Sequence, residues 1–414
     1  HLFSINEKVG IEMKTIAIVG TFDSKGEEFL FLKKEIEKNN IRTITIDIGI
    51  KGPAFFTPDI QAKQVAAYAG KDIDELLNQK KPALCMEAEA EGIQILMKKL
   101  VAEHRIDGMI GMGGGQGSSV LRCAVSVLPV GMPKMIVSTM AMAGGKLFPG
   151  VNDTYLINSI VDFAGLNDIL VSVIENAAGA ICGMVRQEKQ PKMCKGPKIA
   201  ASMFGKTTPC VEQVRKILEQ DGYEFYPFHA NGMGGQAMED MITTGFFDGV
   251  ADITTVELLQ DLIIPGTGCS QRVEAAGKIG IPQIVVPGAM DNINVFDGMK
   301  NQFPGRRFKK HNAEIWTMRS NVEENCKVGK ILADKLNLAK GKTVLMLPLR
   351  GLSMISGDGM ELNDREADEA LFRTLKENVS DKIEIVEIDA HINDPKFAEA
   401  LCKQIENIVP KNRE

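Results

Sequence analysis

The sequence predicts an α/β fold of two Rossmann-like three-layer domains, each with a mostly parallel sheet. Three observations carry this. Short β-type runs alternate with helix-period segments along the chain. The order strand, turn, helix, strand, glycine-rich turn, helix occurs twice, starting at residues 14 and 198. A stretch rich in Lys, Gln and Pro, residues 186–198, separates the two copies. The expected domains are residues 13–190 and 197–414.

In the first half, residues 14–19 form a β-type run that enters Gly20-Thr21-Phe22-Asp23-Ser24-Lys25-Gly26. Residues 27–38 carry Phe29, Leu32 and Ile36 at helical spacing, and residues 41–48 alternate as a strand. This is one βαβ unit. Helices are expected at 59–78 and 92–103. An apolar strand at 108–111 runs into Met112-Gly113-Gly114-Gly115-Gln116-Gly117, followed by a helix over 118–127. Strand 134–138 then leads into a small-residue loop, 139–145. The apolar region 155–184 is broken by Asp162, Asp168 and Glu175, and reads as two buried helices instead of a membrane span.

The second half opens with strand 198–204 and the turn Gly205-Lys206-Thr207-Thr208-Pro209, with Pro209 suited to a first helical turn. Helix 211–220 and strand 223–229 precede Asn231-Gly232-Met233-Gly234-Gly235-Gln236 and helix 237–242. Further strands are expected at 283–286, 314–318, 343–348 and 382–388, and helices at 323–336, 364–378 and 395–408. The glycine-rich strings at 111–116 and 232–236 match, which suggests two copies of one phosphate-holding turn.

Composition narrows the function classes. Of 414 residues, 44% are hydrophobic and 25% charged, the balance of a globular protein with room for two or three domains. A net charge of -6 argues against nucleic acid, which asks for a basic surface. The local basic patch of Arg306, Arg307, Lys309, Lys310 and His311 reads as a solvated loop face. The eight cysteines form no C-x-x-C pair, so neither a zinc site nor a disulfide framework is expected. Residues 1–12 show no signal peptide and read as a tag or upstream extension. The expectation is a cytoplasmic protein with no membrane partner.

A helix N-terminus at the carboxyl edge of a parallel sheet offers unpaired N–H groups and partial positive charge. Gly113, Gly114, Gly115 and Gly117 let a phosphate approach the backbone there, and Ser118 and Ser119 add hydroxyls. Gly20, Thr21, Phe22, Asp23, Ser24 and Lys25 follow the first strand: Lys25 suits a phosphate, and Asp23 a metal ion or a helix cap with Glu27 as capping-box partner. Ser138, Thr139, Gly144 and Gly145 would lie on the same edge. No Walker-type P-loop occurs. Gly232, Gly234 and Ala237 fit a dinucleotide pattern by letter but lack an acidic ribose partner.

In the second half, His311, Asn312, Arg319, Arg350, Asp358, His391, Asn393 and Asp394 fall at strand ends or adjoining loops. Such a set can recognise a carboxylate or phosphate and move protons. Structural alternatives stand beside it: Asp394 as an N-cap before Pro395, His391 bonded to a backbone carbonyl, Arg319 paired with Glu323 or Glu324. Gly232, Gly234, Gly235 and Asn312 are the expected substrate contacts.

The string from Val19 to Glu28 resembles an uncharacterised two-domain family of bacterial and plant proteins that is similar to the ATP-binding N-terminal region of the tomato tobamovirus-resistance protein. Further matches are the 111–117 turn, Asp162-Phe163-Ala164-Gly165-Leu166-Asn167, Asn176-Ala177-Ala178, Gly280-Ile281-Pro282-Gln283, His311-Asn312 and the 389–395 string. The resemblance spans nearly the whole chain from Met13. It implies two Rossmann-like domains, ATP in the first, a homodimer, and no established reaction. On matching positions the nucleotide site would use residues 20–25, Gly113, Gly114, Gly115 and Gln116, and the 138–145 loop. Asp153 matches an acidic position that would reach a metal or a ribose.

The expected function is therefore ATP binding with Mg²⁺, in an enzyme acting on a small acidic metabolite at the domain cleft. His311, Arg319, Arg350, His391 and Asp394 would be catalytic. A nucleotide-binding regulatory module is the alternative, and an NAD-dependent oxidoreductase using the 232–237 turn a weaker one.

Overall fold

The structure is a computed structural model that describes residues 13–142, 153–188 and 196–411. The chain divides into two units between Pro191 and Lys192.

Unit 1 opens with β1 (Thr15–Gly20), α1 (Gly26–Glu37) and β2 (Arg42–Asp47). Three helices follow: α2 (Ala62–Tyr68), α3 (Ile73–Asn78) and α4 (Pro82–Ala102). Then come β3 (Gly108–Gly113), α5 (Gly115–Ser126), β4 (Lys134–Ser138), β5 (Tyr155–Asn158) and α6 (Asp168–Arg186). The sheet order is β2-β1-β3-β4-β5, with every pairing parallel. Alternation along β1 builds the layers. Ile16 and Ile18 face a core shared with α1 and α6. Ala17 and Val19 face the opposite core, shared with α4 and α5.

Local chemistry sets two departures from expectation. Residues 59–78 form two helices, because Gly70 turns at φ +69 and the Asp72 carboxylate caps α3 through the amides of Asp74 and Glu75. Residues 155–184 hold one strand and one helix, not two helices. Asn167 caps α6 at the Leu170 amide, and Leu170, Ile174, Ala177, Ile181 and Val185 put one face in the core. By length and composition α6 is long and apolar enough to cross a membrane, the one such helix among the described residues. Its buried stripe belongs to an α/β core.

Unit 2 begins with β6 (Lys198–Met203), α7 (Thr208–Gln220), β7 (Glu224–His229), α8 (Met233–Thr243), β8 (Gly249–Thr254) and α9 (Val256–Ile263). It continues through α10 (Ala275–Ile279), β9 (Gln283–Gly288), β10 (Asn292–Phe296), a 3-10 turn (Asp297–Gln302), β11 (Phe308–Lys310) and β12 (Ile315–Arg319). It ends with α11 (Val322–Asn337), β13 (Thr343–Pro348), α12 (Arg365–Asn378), β14 (Glu384–Ile388) and α13 (Pro395–Ile408). The main sheet runs β14-β13-β9-β8-β6-β7, all parallel. Helices α7 and α13 cover one face, and α11 and α12 the other.

Strand 314–318, expected in the parallel sheet, instead lies in a separate antiparallel sheet of order β10-β12-β11. Its Met318 packs with Ile293 and Val295 of β10. Strand β8 lies outside the sequence expectation. It carries Asp252 in the sheet core, and that charge is matched by Arg272, twenty residues away.

Candidate functional site

Both sheets share one opening topology. In unit 1 the chain steps from β1 outward to β2, then returns to the other side of β1 for β3. In unit 2 it steps from β6 to β7, then returns to the other side of β6 for β8. The point of reversal, beyond the carboxyl ends of β1 and β3 or of β6 and β8, opens a crevice for a ligand.

In unit 1 the two loops at this crevice are the ones expected. A cavity of about 270 Å³ is lined by Thr21, Asp23, Ser24, Lys25, Gly114, Gly115, Gln116, Gly117 and Asp162. Gly114 is the N-cap of α5 and has no side-chain cap bond, and a Cβ at Gly115 or Gly117 would meet nothing within 4 Å. Residues Gly114 to Gly117 line the cavity, and among the described residues the amides of Gly115, Gln116 and Gly117 have no hydrogen-bond acceptor. Across from them, Lys25 has no carboxylate partner among the described residues, its amine lying 5.7 Å from the Phe163 ring centre. Asp23 Oδ2 accepts from the Lys51 amide at 2.6 Å, while its buried Oδ1 has no partner. The capping box on α1 is absent: Lys25 is the N-cap and no side chain caps the helix.

Other expected contacts support this crevice from behind. Gly20 is a packing glycine, since a Cβ there would lie 1.8 Å from the Phe29 ring. Phe22 is buried against Phe29 and Phe56. Gly113 ends β3 inside the sheet. Ser138 Oγ shares a 2.7 Å hydrogen bond with Ser118 Oγ under the turn, and Thr139 Oγ1 lies 3.8 Å from the Cβ position of Gly114. Gly144 and Gly145 lie outside the described residues.

Asp153 is elsewhere. It pairs with Lys134, the first residue of β4, and accepts from the Gly131 amide at 2.6 Å. The crevice lies at the other end of that strand, four residues or ~13 Å away. Asp153 satisfies a buried lysine and does not line the crevice.

The second glycine-rich turn is not a copy of the first. It follows β7, the edge strand, whereas the first follows β3 at the crevice. Its amides are already filled: those of Gly232 and Gly235 both donate to Glu257 Oε1. The other oxygen of Glu257 accepts from Arg272 Nε at 2.6 Å. Arg272 is fully buried and also bonds Asp252 and Glu239. Burial pushes the Glu239 and Glu257 carboxyls up, against the opposing pull of Arg272. Gly234 packs on the chain, its Cβ position 1.9 Å from the His229 carbonyl oxygen. An internal carboxylate thus occupies the place a phosphate would take.

Unit 2 has a different opening at its crevice. Lys206, in the loop after β6, faces a cavity of about 340 Å³ with Phe204, His229, Asn294, Lys309, Lys310, His311 and Thr317 in its lining. Lys206 is 5% exposed and donates to Asn292 Oδ1 and, at 3.1 Å, to Asn294 Oδ1. Burial pulls its amine down to about 7, opposed by the charge of Asp291. Among the described residues no carboxylate lines the cavity.

Of the expected second-half residues, only His311 lines this cavity. Asn312 Oδ1 instead ties the turn between β11 and β12, accepting from the amides of Glu314 and Ile315. Arg319 is buried and spent on Asp368, Ser320 and the carbonyls of Asp291, Leu362 and Asp364. Arg350 is exposed and paired with Asp389 at 2.5 Å. His391 Nε2 meets the Ser353 carbonyl at 2.9 Å, and its Nδ1 accepts from the Asn393 amide at 3.1 Å. Asp394 accepts from the His391 amide at 2.8 Å. These five shape loops and do not converge on one ligand position.

The basic patch divides. Arg306, Arg307 and Lys309 pair with Glu324, Asp364 and Glu361, the last at 3.5 Å, while Lys309, Lys310 and His311 also line the cavity. Lys206, His229 and Asn294 lie outside the sequence expectation. One signal for Lys206 is its place after the first strand of its half, as Lys25 is in the first.

Comparison with known proteins agrees with the two-unit architecture. A UPF0261 protein of Clostridium tetani is 41% identical over 403 residues, covering 96% of this chain and all of that protein. A UPF0261 protein of Rhizobium meliloti is 35% identical, covering 94% of this chain and 97% of the other. The tomato (Solanum lycopersicum) ToMV resistance protein Tm-1(GCR237) is 38% identical over 75% of this chain and 43% of its own length. Models of the N-terminal and C-terminal domains of the uncharacterised protein family UPF0261 match residues 14–190 and 196–409. The chain therefore belongs to the uncharacterised protein family UPF0261.

Proposed function

We propose that unit 1 binds ATP with Mg²⁺, and that the protein is an ATP-dependent enzyme whose unit 2 cavity receives a small acidic metabolite. One observation carries the nucleotide reading: the open amides of α5 stand at the chain-reversal crevice opposite Lys25. A helix N-terminus and a lysine together compensate phosphate charge. A cavity of about 590 Å³, which shares Ile50 with the first, extends over the 49–58 loop to α2 and α3 and has room for the nucleoside.

The donors fit Mg²⁺ in its usual nucleotide setting. That ion takes one or two protein carboxylates and completes its shell with phosphate oxygens and water. Asp23, with its orphaned Oδ1, and Asp162 line the same cavity. Among the described residues no cluster of three protein ligands could hold a metal alone, so the phosphates would have to complete the site. Bound Mg²⁺ would neutralise phosphate charge. The acidic-substrate reading rests on Lys309 and Lys310 in the lining of the unit 2 cavity, Lys309 also lying 3.5 Å from the exposed Glu361. A cytoplasmic homodimer is part of the same proposal.

Calorimetric titration of the full chain with Mg-ATP tests the nucleotide reading. Lys25→Ala and Gly115→Val should each weaken binding by about tenfold or more, as one charge-assisted contact is worth. Unchanged affinity in both variants would overturn the assignment. ATP hydrolysis across a panel of small carboxylates tests turnover: ATP that raises the melting temperature without substrate-stimulated hydrolysis indicates a regulatory module. Light scattering tests the dimer.

A further inference from the structure

We propose that Lys206 is an imine-forming lysine, and that the unit 2 cavity takes a small anionic aldehyde or ketone such as a 2-oxo acid. This rests on the reading of the cavity as an anion site and goes beyond it to the reacting group.

The arrangement around the amine is the first argument. A neutral amine has two N–H bonds and one lone pair. Asn292 Oδ1 and Asn294 Oδ1 accept from Lys206 Nζ, which would place both N–H bonds and leave the lone pair free. The Asn292 amide cannot turn round without loss, because its Nδ2 donates to Asp291 Oδ1 at 2.6 Å and to Ser353 Oγ at 3.2 Å. The charge of Asp291 favours the protonated amine, but its Oδ2 is held by the hydroxyls of Ser353 and Ser356. Among the described residues no carboxylate is hydrogen-bonded or ion-paired to the amine. Burial supports the same state, bringing the amine to about 7, where a large fraction is free base at neutral pH.

The second argument is the cavity. It sits at the chain-reversal crevice and holds Lys309, Lys310, His229 and His311 beside the amine. Lys310 suits a carboxylate or phosphate on the substrate, and Lys309 can join it by leaving its exposed 3.5 Å pair with Glu361. In the reaction, the Nζ lone pair forms a bond to the carbonyl carbon and the carbonyl π pair moves to oxygen. In two steps nitrogen gives up both of its protons, the oxygen gains two in all, and water leaves as the C=N bond forms. His229 and His311 are the proton-carrying groups at hand.

Reductive trapping tests this on the full chain. Glyoxylate is the probe at pH 7, and cyanoborohydride supplies hydride to the imine carbon while water supplies the nitrogen proton. Peptide mass spectrometry should find Lys206 carboxymethylated at least about tenfold faster than exposed lysines such as Lys216. Neutral glycolaldehyde should lose that preference, as should glyoxylate on the Lys309→Ala/Lys310→Ala variant. Malonate, an anion without an aldehyde or ketone, should slow the labelling. Labelling confined to surface lysines, with malonate still raising the melting temperature through Lys309 and Lys310, would overturn the imine and leave the anion reading standing. Absence of both effects would remove both.

Discussion

The Gly235 amide donates to Glu257 Oε1 at 3.2 Å, and a Cβ built on Gly235 would lie 2.0 Å from Glu257 Oε2. The turn is closed around its own carboxylate. Gly235→Ala should therefore destabilise unit 2 by about 1–3 kcal/mol, the usual cost of overpacking. Gly117→Ala, with nothing within 4 Å of its Cβ position, should leave stability within about 0.5 kcal/mol. Urea unfolding of the two variants checks the contrast.

Arg272 is the lone cation inside a set of three buried carboxylates, Asp252, Glu239 and Glu257. Arg272→Met should cost about 3–5 kcal/mol, because it leaves buried charges uncompensated. The loss should shrink in acid. Without the arginine, burial makes the folded state hold protons on Glu239 and Glu257 more tightly than the unfolded chain does, so its stability recovers as pH falls. Denaturant midpoints from pH 8 down to pH 5 measure this.

Glu89 on α4 is fully buried, with neither carboxylate oxygen partnered. Burial, and secondly the charge of Asp47, push it up to about 9. The folded state then keeps a proton that the unfolded chain releases near 4.5. The stabilising contribution is full below that value and is lost as pH rises toward 9, by at most about 1.4 kcal/mol per pH unit. Glu89→Gln, neutral at every pH, should flatten this part of the stability profile between pH 5 and 9. An unchanged profile would refute the buried neutral acid.

Asp153 and Lys25 should separate stability from binding. Asp153→Asn removes the charge partner of Lys134, whose side chain is 1% exposed, and should cost about 1–3 kcal/mol without changing Mg-ATP affinity. Lys25→Ala should do the reverse. Melting curves and calorimetry on both variants decide between Asp153 as a strand-end partner and as a nucleotide ligand.

Much of the fold was legible from the chain. Strand 134–138 and the helix from Pro395 have the bounds the sequence suggests, because an apolar run and a proline-led helical period are local signals. Strand β8 was not legible. Asp252 breaks its apolar pattern, and the arginine that neutralises it comes from another part of the chain. The antiparallel sheet was missed for a related reason: β11 has only three residues, and its pairing partner β12 looks alone like another parallel strand.

The candidate sites divide the same way. The sequence by itself determined two α/β domains, the loop with Lys25 after the first strand, and two glycine-rich turns at helix starts. Those depend on spacing within a few residues. Tertiary structure alone decided which turn is open. Glu257 reaches back to Gly232 across 25 residues and fills one, while Gly115 and Gly117 stay clear in the other. It also decided that Lys206 meets Asn292, 86 residues on, and so sits desolvated beside His229, Lys309 and Lys310. A side chain's charge state and a turn's free amides depend on what the folded chain brings next to them, and these neighbours are distant in sequence.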